Sequence, residues 1–174
     1  TELAVLGPGK TKNPHNPAHT PGGSSSGSAA AVASYMVPLA IGTQTNGSVI
    51  RPASYCGVVG FKPSHGLIPR SGVLAQSSPL DTVGTYARSI EDVALLTEVL
   101  IAHDPGDKDS RSRVRPPLSR TAAEEPPMTP MVAFAKTAVW DQADKETQEA
   151  FGQLIELLDD DCSDLPLSEP FGHA

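Results

Sequence analysis

A chain of 174 residues, 39% of them hydrophobic, is long enough to bury one ordinary core. Its 13 basic and 20 acidic side chains leave a net charge of −7, and no stretch gathers the basic face that nucleic-acid binding needs. No apolar run approaches the roughly 18–20 residues of a membrane span, and Cys56 and Cys162 form neither a CxxC pair nor a disulfide framework, so a reducing cytoplasm with no signal peptide is the expected setting.

Residues 1–21 read as loop, punctuated by Gly7, Pro8, Gly9, Pro14, Pro17 and Pro21. Gly9-Lys10-Thr11 resembles the end of a phosphate loop, but Ala4 stands where a glycine is needed and Asn13-Pro14 where a helix should follow. His15 and His19 have the i, i+4 spacing of a helical zinc pair, which Pro17 opposes. Both are expected to be loop histidines satisfied by backbone.

The stretch from Pro21 to Pro52 organises the chain. Two glycine–serine clusters, Gly22 to Ser28 and Thr43 to Ser48, flank an apolar segment in which Ala29 to Tyr35 suits a buried helix and Met36 to Ile41 a short strand. A cluster such as GGSSSGS can be a flexible linker. The apolar run after it argues instead for backbone that must approach something closely and point its N–H groups at it. Two such turns would converge on one pocket holding the hydroxyls of Ser24, Ser25 and Ser48.

Beyond Ser48, a short helix should open near Val49 and end at Gly57. Val58 to Phe61 should be a strand, Leu67–Ile68 a short extended piece, and Asp81 to Gly84 a turn into another strand. Ser89-Ile90-Glu91-Asp92 is a capping box, opening a helix that packs Val93, Leu96, Val99 and Leu100 inward. Residues 103–130, with six prolines and little periodicity, read as a surface excursion in which Arg111, Arg113 and Arg115 are solvated. Met131 to Thr137 reads as a strand. Asp144 to Leu158 reads as an amphipathic helix with Phe151, Leu154, Ile155 and Leu158 inward. The sequence stops at Phe171 to Ala174 with no closing element.

Ser48 lacks the GxSxG elbow of Ser-His-Asp enzymes, and no histidine stands where a partner is expected. By itself it could be a helix N-cap, a role compatible with a catalytic one. Taken together, however, Gly22 to Ser28, then Gly42 to Ala53, Tyr55 to Ser64 and Leu80 to Gly84 resemble the amidase signature family, most strongly over residues 14–101.

That resemblance implies an α/β fold, with a mixed, mostly parallel twisted sheet and helices on both faces. It implies one partial domain: a core over 1–102, a proline- and charge-rich loop over 103–130, and a strand–helix extension over 131–174. It also implies a serine, cis-serine, lysine triad, with Ser48 as nucleophile and Ser24 as the bridging serine after a cis bond at Gly23. The oxyanion hole would be the N–H groups of Thr45, Asn46, Gly47 and Ser48, and Ser25, Thr43 and Gln44 would orient the network. Asn46 replaces a glycine common in the family. Arg51, one turn after Ser48, either clasps a substrate carboxylate or braces the helix; the two readings stand equal. The family's lysine is expected upstream of this sequence, since Lys10, Lys12 and Lys62 match other positions, so the chain reads as a central fragment.

The implied activity is hydrolysis of a carboxylic amide through an acyl-enzyme, on a small-molecule amide, with no metal or organic cofactor and with a homo-oligomer open. Two alternatives remain: an amidotransferase A-type subunit, disfavoured by Gln44 and by the position of Arg51, or an inert piece acting only as a binding or interaction module.

Overall fold

The computed structural model describes residues 11–168. The expectations for residues 1–10, including the Gly9-Lys10 part of the loop pattern, and for Phe171 to Ala174 lie outside the described residues. The chain divides into two compact units between Glu124 and Glu125.

The first unit is built on a three-stranded sheet of β1 (Ala40–Gln44), β2 (Val59–Phe61) and β3 (Thr82–Ala87), with β3 in the middle and both pairings antiparallel. Every residue of β3 is buried, which a central strand achieves only when both of its faces are covered. Helices α1 (Ser26–Ala33) and α2 (Ile50–Tyr55) cover the face carrying Tyr86, where Ala29, Ala30, Val32, Val49, Ala53 and Cys56 form the main core. Small side chains on α1 let it lie close to the sheet. The opposite face, carrying Val83 and Thr85, meets α3 (Ile90–Leu100) and a smaller cluster of Ile68, Val83 and Ile101.

Local signals act as expected at several ends. Ser89 caps α3 by accepting the Asp92 N–H. Gly57, at φ +62°, closes α2, and Pro52 sits in the first turn of α2, where its fixed φ already suits the helix. Several expectations need correction. The strand expected over Met36 to Ile41 opens only at Ala40 and runs to Gln44. Tyr35, expected in a buried helix, lies past the end of α1 and is 78% exposed, with Arg88 over its ring. Val99 is 63% exposed; Thr97 takes the inward place instead, because its hydroxyl shares a 2.7 Å hydrogen bond with Thr85 and can be buried without loss. The 103–130 excursion also contains a short helix, α4 (Leu118–Ala123), and Glu98 of α3 accepts the backbone N–H and hydroxyl of Ser119 in it.

The second unit pairs β4 (Val132–Phe134) in parallel with β5 (Cys162–Asp164). Helix α5 (Lys145–Leu158) provides the crossover that a parallel pair requires. Asp144 caps α5 through the Thr147 N–H. Phe134, Trp140 and Phe151 stack edge-on or tilted, with centroids 5.3 to 5.7 Å apart. No residue of α5 is fully buried, and Phe151 and Leu154, expected inward, are 41% and 46% exposed; Phe151 packs on Phe134 and Trp140 without being covered. The chain is therefore α/β, as expected, with its parallel component confined to β4–β5 among the described residues.

Gly84 tests how tightly the sheet and α2 are packed. A Cβ there would stand 2.7 Å from the Phe61 carbonyl and 2.9 Å from a Val49 methyl, whereas a Cβ at Gly27 would meet nothing within 4 Å. Thermal unfolding should show Gly84→Ala less stable by about 1–3 kcal/mol. Gly27→Ala, in the exposed part of α1, should be stabilising by up to about 1 kcal/mol. Equal shifts in the two variants would contradict this packing.

Candidate active site

The two glycine–serine clusters meet. Ser25 N–H donates to the Ser48 carbonyl at 3.2 Å. Gly22, at φ +73°, brings its backbone against the second cluster's helix so closely that a Cβ would lie 3.0 Å from Pro52 Cα. Arg51 spans both turns: Nη1 donates to the Gly23 carbonyl at 2.9 Å, and the guanidinium lies against Gly47, where a Cβ would come 2.6 Å from Nη2. This is a bracing contact. The peptide bond between Gly23 and Ser24 is cis.

The serines of the first turn also tie α1 to β1. Ser25 Oγ lies 3.2 Å from both the N–H and the carbonyl of Thr43, and Ser28 Oγ donates to the Ile41 carbonyl at 2.7 Å. Gly42 leaves the necessary room, since a Cβ there would stand 2.6 Å from Ser25 Oγ. Gln44, at the end of β1, turns its Oε1 onto the start of α2 and accepts the N–H groups of Val49 (2.9 Å) and Ile50 (3.0 Å). The preceding N–H groups, of Asn46, Gly47 and Ser48, have no acceptor among the described residues. Three consecutive backbone donors with no partner among the described residues can receive an anion without adding charge of their own.

Ser24 and Ser48 are both half-buried. Neither hydroxyl has a hydrogen-bond partner among the described residues, so the two are not bonded to each other. Thr45 Oγ1 donates to Asp81 at 2.5 Å. His15 Nε2 lies 2.9 Å from the Cys56 carbonyl and His65 Nε2 the same distance from the Ser78 carbonyl, which ties both rings to backbone. Among the described residues, no three His, Cys, Asp or Glu side chains are grouped to hold a metal. No described helix is long and apolar enough to cross a membrane.

Sequence reasoning missed three residues that shape the site. Tyr86, fully buried, donates its hydroxyl to the carbonyls of Ser48 (3.2 Å) and Val49 (3.0 Å), and burial pushes the pKa of that hydroxyl up to about 12. Asp81 and Arg70 form the other group. Arg70 donates to the carbonyls of Ser78 and Asp81 and pairs with Asp109 at 2.5 Å, while its backbone N–H donates to Asp107 at 2.8 Å. A charged residue at the foot of a strand that is otherwise uncharged was the available signal for Asp81.

The Amidase family model matches residues 3–164. The chain belongs to the amidase family. The A-type subunit of glutamyl-tRNA(Gln) amidotransferase from Clostridium botulinum (strain Eklund 17B / Type B) is 44% identical over 148 residues, covering 85% of this chain and 30% of that protein. The solved structure of the corresponding amidotransferase subunit from Thermotoga maritima superposes with a TM-score of 0.80 at 35% identity, covering 92% of this chain and 35% of that one. A peptide amidase in complex with the competitive inhibitor chymostatin superposes at 0.75 and 28% identity, covering 90% of this chain and 33% of the other. This amidase-family chain spans roughly a third of the length of these relatives.

The carboxylates around Arg70 predict a response to acid. Burial pushes Asp81 up, but hydrogen bonds from Thr45, Ser77 and Gln76 and the Arg70 charge outweigh it, leaving the carboxyl below the usual range. Asp107 is lowered the same way, with burial outweighed by the N–H groups of Asp109 and Arg70 and by the guanidinium. Asp109 is lowered chiefly by the Ser78 hydroxyl. Depressed folded values contribute stability that is fully present above the ordinary carboxylate value of about 4 and lost as pH falls through the depressed values. Urea midpoints should therefore hold between pH 7 and 5 and fall below pH 4, with a shallower fall in Asp81→Asn. A flat profile down to pH 3 would contradict the charge network.

Proposed function

We propose that this chain carries the acyl-transfer site of an enzyme that cleaves a carboxylic amide. Ser48 Oγ attacks the carbonyl carbon of the substrate, and its proton passes through Ser24 to a neutral lysine, which the family resemblance calls for. The carbonyl oxygen becomes an oxyanion held by the N–H groups of residues 45–48. As the C–N bond breaks, the proton returns through Ser24 to the leaving nitrogen and ammonia departs. Water then attacks the acyl-Ser48 ester by the same relay and releases the carboxylate. Ser25, Thr43 and Gln44 hold the two turns in register. Arg51 serves as a brace; a contact to a substrate carboxylate rests on the resemblance alone. The two free thiols fit a reducing, cytoplasmic setting.

The observation that carries this reading is the Ser25–Ser48 contact beside three unclaimed N–H groups. A second reading is favoured by the identity to the A-type amidotransferase subunit: the ammonia is passed onward to a charged transfer RNA rather than released. Gln44 and the position of Arg51 weigh towards release.

A fluorophosphonate probe tests the nucleophile in the whole protein. Wild type should label and Ser48→Ala should lose labelling by at least about a hundredfold. Equal labelling of the two would remove Ser48 from the mechanism. Amide cleavage that rises only when charged transfer RNA is present would select the second reading.

A further inference from the structure

The antiparallel register of β1 and β3 runs from Ala40 opposite Tyr86 to Gln44 opposite Thr82, so Thr45 and Asp81 are the next pair. There the contact passes from backbone to side chain, with Thr45 Oγ1 donating to Asp81 Oδ1 at 2.5 Å. The other carboxylate oxygen accepts the N–H groups of Gln76 (2.7 Å) and Ser77 (2.8 Å). Asp81 is also held through its backbone: its N–H donates to the Ser77 carbonyl at 2.8 Å, and its carbonyl accepts from Arg70 at 2.7 Å. An 8% exposed carboxylate held on both oxygens and through its backbone is a rigid anchor.

From the same strand end Gln44 reaches the opposite way, onto the Val49 and Ile50 N–H groups. The segment 45–48 is therefore an arch with a side-chain hydrogen bond at each foot, and the unclaimed N–H groups lie between the feet. We propose that Asp81, acting through the Thr45 hydroxyl, is a positioning residue that aims the arch's N–H groups at the substrate's acyl oxygen. This rests on the reading of residues 45–48 as the oxyanion hole. Asp81 touches neither substrate nor nucleophile; it fixes the direction of donors that do.

The test follows phosphonylation of Ser48 by the same probe, separating the maximal rate from the apparent binding constant. Thr45→Val keeps the volume and removes the donor. Loss of an oxyanion donor outright costs about a hundred- to a thousandfold in rate, so a misaimed arch should cost roughly ten- to a hundredfold, with the binding constant within about threefold. Thr45→Ser should recover most of that rate, and Thr45→Val added to Asp81→Asn should cost little more than Asp81→Asn alone. A merely structural contact would lower the melting temperature and leave the maximal rate untouched. The proposal falls if Thr45→Val phosphonylates within twofold of wild type, or if the two losses multiply. Should Asp81→Asn fail to fold, the valine and serine variants decide alone. If Ser48→Ala still labels, the acyl-transfer reading itself fails; if it does not label but Thr45→Val matches wild type, only the role of Asp81 is lost.

Discussion

The buried hydroxyl of Tyr86 is the contact on which the rest of the first unit depends. A phenol can be taken wholly out of water only if its O–H finds an acceptor, and here the acceptors are the carbonyls of Ser48 and Val49. Burial keeps the group protonated to about pH 12, so it stays a donor throughout the working range. Gly42 leaves the ring its space, since a Cβ there would stand 2.9 Å from it, and Gly60 lets α2 approach the sheet, since a Cβ there would stand 2.5 Å from the Ala53 methyl. With Tyr86 in the central strand, the second serine turn is fastened to the sheet. The Ser25 N–H fastens the first turn to the same Ser48 carbonyl. Sheet, α1 and α2 thus converge on one peptide group next to the proposed nucleophile.

That convergence explains the distribution of residue types around it. Small residues on α1 and glycines in the turns are where backbone meets backbone. Long polar side chains occupy the perimeter and span it: Arg51 from α2 to Gly23, Gln44 from β1 to the start of α2, Asp81 from the foot of β3 to Thr45. Each takes up a backbone or hydroxyl group that would otherwise be half-buried without a partner, which is the condition for a polar cleft to remain ordered.

Much of this was legible in the sequence wherever the cause was local. Ser89 as a helix cap, Gly57 as a helix end, the helix from Asp144 to Leu158 and the two glycine–serine turns follow from short-range chemistry and stand where they were expected. Pairing was not legible. β1 finds its partner in β3, some forty residues on, and the choice of antiparallel neighbours depends on contacts that hydrophobic pattern does not encode. Thr97 displaced Val99 from the inward face for a similar reason: a partner hydroxyl on a distant strand made a polar residue the better fit. Tyr86 and Asp81 escaped sequence reasoning because the groups that draw them to the site, the Ser48 and Val49 carbonyls and the Thr45 hydroxyl, lie 36 to 38 residues away in the chain.

The central claim is that the two serine turns form one reaction centre around the 45–48 arch. A crystal structure of the whole protein after reaction with a fluorophosphonate tests it most directly. Phosphorus is expected on Ser48 Oγ, with Ser24 Oγ within hydrogen-bond reach of it and a phosphonyl oxygen roughly 3 Å from the backbone nitrogens of the arch. Phosphorus on another side chain, or on Ser48 with its oxygen turned to solvent away from those nitrogens, would contradict it.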